Sequence, residues 1–294
     1  MADSYFTDTS AFRRVHRERF VAFGGPRAVL LQGAHPLVMA GLVGHSDDLD
    51  KFRARLIRTA RIMEVIGFGS RRRADELLRT IHGMHAKVRG NLDRDAGRFP
   101  EGTRYGALAP ELQLWVLFTM ADSAMLAHTL FVRPLEPAEQ QAFWDDWKRI
   151  GLLFGLRRTD LPDTIADFHD YRRDMLDGDR LHVTDAARRW IPPAVLEFPA
   201  PMVYRPLLAV HRFTAVSLLP PRIRAEYGLD RMPRPIRSTL LTVLSRTIRS
   251  VRPVLPETIR IAPDARGAVD ESVEPGRSDG NESMADRFTK SLGA

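Results

Sequence analysis

One stretch constrains this chain more than any other: Glu111 to Phe131 is apolar nearly all round a helix. Leu112, Leu114, Trp115, Val116, Leu117, Phe118, Met120, Met125 and Leu126 leave it no polar face. Such a helix has to lie at the centre of its domain, with the other elements wrapped around it. Trp115, Phe118 and Met125 are therefore read as core. Asp122 and Ser123 interrupt the apolar run, and a carboxylate in such a place needs a cationic partner. Arg55 or Arg58 is the expected one.

The rest of the chain repeats helical rather than strand periodicity, in segments punctuated by proline and glycine. No run alternates as a half-buried strand does. Ala28 to Leu42 is apolar but broken by Gly33 and Pro36, which predicts two short helices. Asp48 to Phe68 is a clear helix with a stripe of Phe52, Leu56, Ile57, Ile62, Ile66 and Phe68, stopped by Gly67 and Gly69. Ser70 is placed to cap the next helix, which ends at Gly90. Gly90 to Pro110 reads as a loop. Further helices are expected at Pro137–Phe154, Pro162–Leu176, Thr184–Trp190, Pro201–Leu219, Pro221–Tyr227 and Pro233–Val251. The expected organisation is all-α: an N-terminal arm over 1–24, one helical domain over 25–261, and a disordered tail over 262–294 that is poor in large apolar residues.

The 294 residues, 44% hydrophobic and 28% charged, are enough for a real core. With no cysteine, disulfides, thiolate metal sites, cysteine nucleophiles and thioether-linked haem are all excluded. The formal charge of +7 permits contact with nucleic acid or anionic membrane. No nucleic-acid motif accompanies it, so none is expected as a partner. Arg13-Arg14 is followed by Val15-His16-Arg17-Glu18-Arg19 instead of the apolar run an export signal needs. Pro201 to Pro220 is interrupted by Arg205, His211 and Arg212 and is read as a buried core helix, not a span. These features predict a cytoplasmic protein without a membrane span.

Two sets of polar residues share a helical face. Arg55, Arg58 and Thr59 stand at i, i+3 and i+4, continued by Ile62 and Ile66. Periodicity alone favours a solvated arginine face; a pocket for something both apolar and anionic is the other reading. His82 and His85 share a face of the following helix. On their own they read as surface histidines, since neither a zinc ligand set nor the paired Glu-x-x-His motifs of di-iron bundles are present.

A set of ordered blocks bears on both faces. They are Gly33-Ala34-His35-Pro36-Leu37-Val38, Gly44-His45-Ser46, Arg55-Leu56-Ile57-Arg58-Thr59, Phe68-Gly69, His85-Ala86-Lys87-Val88-Arg89-Gly90, Pro110-Glu111-Leu112-Gln113-Leu114-Trp115-Val116, Leu218-Leu219-Pro220-Pro221 and Tyr227-Gly228-Leu229. In order and spacing this series resembles the latex clearing protein (rubber oxygenase) family, to which the MpaB-type oxygenases also belong. The resemblance implies a globin-like all-α core around a non-covalent b-type haem. It implies that His85 ligates the iron and that Arg55 and Thr59 are polar residues of the opposite, distal side. His82, one turn away, is a rival ligand; His35 and His45 are read as structural.

Arg58 falls where rubber-cleaving members carry a lysine that can reach the iron. A guanidinium has no lone pair to give a metal, so that ligation is closed to this chain. Arg58 can instead hydrogen bond to a reduced oxygen species or pair with a haem propionate. The resemblance thus predicts a haem-b-dependent oxygenase, of dioxygenase or peroxygenase type, that uses dioxygen or peroxide on a small apolar or unsaturated substrate. Cleavage of polymeric rubber is not expected. A non-catalytic haem sensor or carrier, and a basic helical interaction module without cofactor, are the alternatives.

Overall fold

The structure is a computed structural model that describes residues 3–43, 48–197, 201–267, 269 and 272–274. His45 and most of the expected tail lie outside the described residues. The N-terminal stretch packs inward rather than standing off as an arm. Ser10 caps α1 (Ala11–His16) by accepting from the Arg13 N–H at 3.2 Å. Phe6, Phe12 and Val15 are buried, and Phe12 meets Trp147.

Gly33 and Pro36 divide α2 (Gly25–Gly33) from α3 (Pro36–Val43), as the breaks in the sequence predict. Gly33 is needed for close approach: a Cβ there would come 2.7 Å from Ile191. Next come α4 (Leu49–Phe68) and α5 (Arg71–His85), an adjacent pair, with Asp48 capping the first. The Gly90–Pro110 loop holds a small antiparallel hairpin, β1 (Arg89–Asn91) and β2 (Arg104–Gly106), in the register Gly90↔Tyr105.

The apolar helix becomes α6 (Pro110–Phe131), and Trp115, Phe118 and Met125 are buried in the core as expected. By length and composition α6 could cross a membrane, but 72% of its most apolar window is buried inside the fold. Against it lie α2 and the 3-10 turn Arg19–Gly24. Gly24 is pressed so close that a Cβ would sit 2.5 Å from the Ser123 carbonyl oxygen. The partner of Asp122 is therefore Arg27 of α2, at 2.7 Å, with Arg172 at 3.3 Å. The expectation of Arg55 or Arg58 fails because α4 packs on α5 and α9 (Asp185–Leu196), whereas α2 lies along α6.

Two further helices, α7 (Pro137–Leu153) and α8 (Ile165–Asp177), precede α9. α9 runs past Trp190, where the sequence suggested an end, and through Pro192-Pro193. Arg53 of α4 donates to the Pro193 and Glu197 carbonyls at 2.9 and 2.7 Å, satisfying groups that a helix end leaves open. The chain closes with α10 (Arg205–Ser217), α11 (Pro221–Glu226), α12 (Arg234–Val251) and α13 (Glu257–Arg260). The buried-helix reading of Pro201–Leu219 holds only for its C-terminal end. Thr214, Ala215, Leu218 and Leu219 are buried, while Met202, Val203 and Leu207 are exposed. Beyond α13, Val273 is buried and its carbonyl accepts from Arg73 at 2.6 Å, so this part of the tail returns to α5.

Candidate functional site

One corner of the fold is formed by the C-terminal end of α3, the first half of α4 and the hairpin that follows α5, with Arg55 on one side and the segment just after His85 on the other. Arg55 is half-buried and lies over the Phe52 ring at 5.2 Å from its centroid. Its guanidinium donates to the Leu42 carbonyl in the last turn of α3. That carbonyl is one of the acceptors a helix end leaves open, so Arg55 fastens α3 onto α4. Burial, and then the charge of Arg58, lower the pKa of Arg55. Arg58 is also half-buried, so the pair is not a freely solvated face. Thr59 is exposed, and its hydroxyl donates back to the Arg55 carbonyl at 3.0 Å.

His85 is the last residue of α5 and is half-buried; His82 is exposed. Burial, followed by the charge of His82, lowers the pKa of His85. A helix C-terminus favours the protonated ring, so desolvation outweighs the dipole here. The result is a neutral imidazole with a free lone pair. Among the described residues, no group hydrogen bonds to the His85 ring. Three residues on, Val88 lies against α3, where a Cβ on Gly41 would come 3.3 Å from it. The last turns of α3 therefore touch both the Arg55 side, through Leu42, and the His85 side, through Gly41 and Val88. Half-buried Leu42, Val43 and Leu56 give the corner its apolar surface.

The structure thus links the segments that carry these residues through α3: Arg55 bonds to the Leu42 carbonyl, and Val88, three residues after His85, lies against Gly41. Sequence reasoning missed the Leu42 carbonyl and the Gly41–Val88 contact, because a main-chain acceptor and a close approach leave no mark in side-chain spacing. His35 is buried, and desolvation lowers its pKa to about 4. Its ring lies 5.5 Å from that of Phe99, and its buried Nδ1 has no hydrogen-bond partner among the described residues. Among the described residues no three His, Asp or Glu side chains gather as a metal site. Two open clefts, of about 510 and 430 Å³, lie elsewhere, and neither is lined by residues of α4 or α5.

The model of the ER-bound oxygenase mpaB/B′ and rubber oxygenase catalytic domain matches residues 13–252, from α1 to the end of α12. This chain belongs to that family. The mpaB/rubber oxygenase match encloses every residue of the corner. Among curated proteins, the chain is similar to the uncharacterized proteins Rv2237 of Mycobacterium tuberculosis and Mb2261 of Mycobacterium bovis. Each is 29% identical over 128 residues, which is 43% of this chain. The match spans about half, 49%, of each relative's length. No solved structure matches the chain.

The residues at the corner fit a haem. A neutral imidazole at the end of α5, unpartnered among the described residues, is the kind of donor a haem iron takes. Apolar side chains and the two half-buried cations of α4 suit a greasy ring that carries two carboxylates.

Proposed function

We propose that this chain is a haem-b-dependent oxygenase acting on a small apolar or unsaturated substrate. What supports the reading is His85: half-buried, neutral and, among the described residues, without a hydrogen-bond partner, on a segment that α3 links to Arg55. Bound there, haem supplies the activation of dioxygen or peroxide, while the protein supplies binding, orientation and electrostatics.

The side chains divide the work. His85 holds the iron through a ring nitrogen. Arg55 is a positioning residue, because its bond to Leu42 and its stacking on Phe52 fix it as the tie between α3 and α4. Thr59 has already donated its hydroxyl proton to the Arg55 carbonyl and serves as an acceptor. Arg58 would be the group to pair with a carboxylate of the bound haem, since arginine remains a cation and makes charge-assisted bonds. Half-buried Leu42, Val43 and Leu56 exclude water and favour an apolar substrate.

The test is haem titration into the full chain with a pyridine haemochrome assay. Saturation at one haem b per chain, with a strong Soret band, is expected. A protein that stays colourless after haem addition overturns the reading.

A further inference from the structure

A second site is visible far from the corner, in the arrangement of charge. The cleft of about 430 Å³ opens between α1, the α6–α7 turn and the chain around α13. Its walls carry five guanidinium groups, those of Arg14, Arg17, Arg133, Arg252 and Arg260, against two carboxylates, Glu18 and Glu139. Both carboxylates are already taken. Arg252 grips Glu18 with two hydrogen bonds, of 2.8 and 2.5 Å. Arg133 forks onto Glu139 with two bonds of 2.6 Å. Those bonds, and then the Glu136 backbone N–H, hold the Glu139 carboxyl down at about 2.

The other three arginines are not matched in this way. The side chains of Arg14 and Arg17 are exposed and form no hydrogen bond or ion pair among the described residues, and the charge of Arg14 acts only through space on Glu139. The Nε of Arg260 is buried in the wall without a hydrogen-bond partner, and its terminal nitrogen reaches only the exposed Glu257, at 3.5 Å. His128 completes the lining, 4% exposed, its pKa lowered chiefly by burial. Neutral, it donates from Nδ1 to the Arg133 carbonyl at 2.9 Å and adds no charge.

Cationic groups gathered around a partly enclosed cleft concentrate anions there. Guanidinium forks match the spacing of phosphate oxygens. The geometry points to a binding site in this cleft for a phosphate-type oxyanion of at least two negative charges, a phosphomonoester or diphosphate, held by Arg14, Arg17 and Arg260. Arg14 and Arg17 come from α1 and its C-terminal cap and Arg260 from α13, so the cleft offers cations from two sides.

The probe is inorganic pyrophosphate, titrated into the full chain by calorimetry and thermal unfolding, with ionic strength held constant by sodium chloride. Saturable binding is expected, with Tm rising about 2–4 °C at ten times Kd. Arg14→Gln/Arg17→Gln is expected to weaken Kd by about tenfold or more. Both side chains are exposed and unpaired, so the double variant keeps the circular dichroism of the parent. Arg260→Lys keeps the charge but removes Nε and is expected to weaken binding as well. Flotation with vesicles containing phosphatidate, against phosphatidylcholine alone, separates a lipid phosphate from a soluble one. Binding in either assay that the double variant loses supports the site. Absence of binding in both assays, or binding that the double variant leaves unchanged, overturns it.

Discussion

Arg27 and Arg55 are both planted in short-range apolar surroundings, yet the fold treats them differently. Arg27, 1% exposed, uses every side-chain nitrogen. Its Nε donates to the Leu218 carbonyl at 2.8 Å, one terminal nitrogen to Ser123 Oγ at 2.7 Å, and the other lies 2.7 Å from Asp122. It ties α2, α6 and the α10–α11 turn together around a matched charge. Arg55 makes its bond to a neutral carbonyl, stacks on Phe52 and faces a second cation, Arg58. A matched, buried charge is a staple of the core. Arg55 and Arg58 are instead two like charges kept half-buried along one side of α4.

The sharpest way to break this comparison is to remove the two arginines in turn. Arg27→Met leaves Asp122 with only the longer contact to Arg172 and is expected to cost about 3 kcal/mol, read by denaturant unfolding. Arg27→Met/Asp122→Leu should recover much of that loss, because an uncompensated charge costs more than an apolar pair. Equal stability of the single and double variants would show that the ion pair is not the staple.

Next in size is the seam that brings Arg27 to α6. Gly24→Ala places a methyl against the Ser123 carbonyl, which belongs to α6 and cannot swing away. A loss of about 1–3 kcal/mol in thermal unfolding is expected.

The histidines sharpen the contrast through pH. Desolvation lowers His16 to about 4, and its ring lies on Phe12 at 4.4 Å. Between 6.5 and about 4 the unfolded chain binds a proton that the folded chain refuses. Stability is therefore full above pH 6.5 and falls as the pH drops toward 4, by on the order of 2 kcal/mol from this residue. His16→Phe should flatten that part of the stability–pH curve; an unchanged slope would assign it to other groups. The smallest expected effect belongs to the corner. Arg55→Met removes one hydrogen bond and a cation–ring contact, for about 1 kcal/mol in the same unfolding assay.

Sequence legibility followed the same division. The break at Gly33 and Pro36, the extent of α4 and the buried centre at α6 were readable because periodicity, caps and glycine stops are local signals, whereas α5 ends at His85, short of the Gly90 stop, because the chain turns there into the strand Arg89–Asn91. The partner of Asp122 was not, because Arg27 is almost a hundred residues away in a segment with no charge pattern of its own. The hairpin at Gly90 and Tyr105 has strands too short to show alternation. α9 continues past Pro192-Pro193 with its end carbonyls satisfied by Arg53, a distant contact no local rule foresees. At the corner, spacing and resemblance single out Arg55, Arg58, Thr59 and His85. What fixes them, the Leu42 carbonyl and the Gly41–Val88 contact, is main chain and close packing.

The most direct test of the central claim is the absorption spectrum and haem content of the full chain beside His85→Ala and His82→Ala. A Soret band with one haem b per chain is predicted for the parent and for His82→Ala. His85→Ala should lose the haem or shift its band, with helix content unchanged by far-ultraviolet circular dichroism. Full haem content and an identical spectrum in His85→Ala would contradict the assignment of His85 as the ligand.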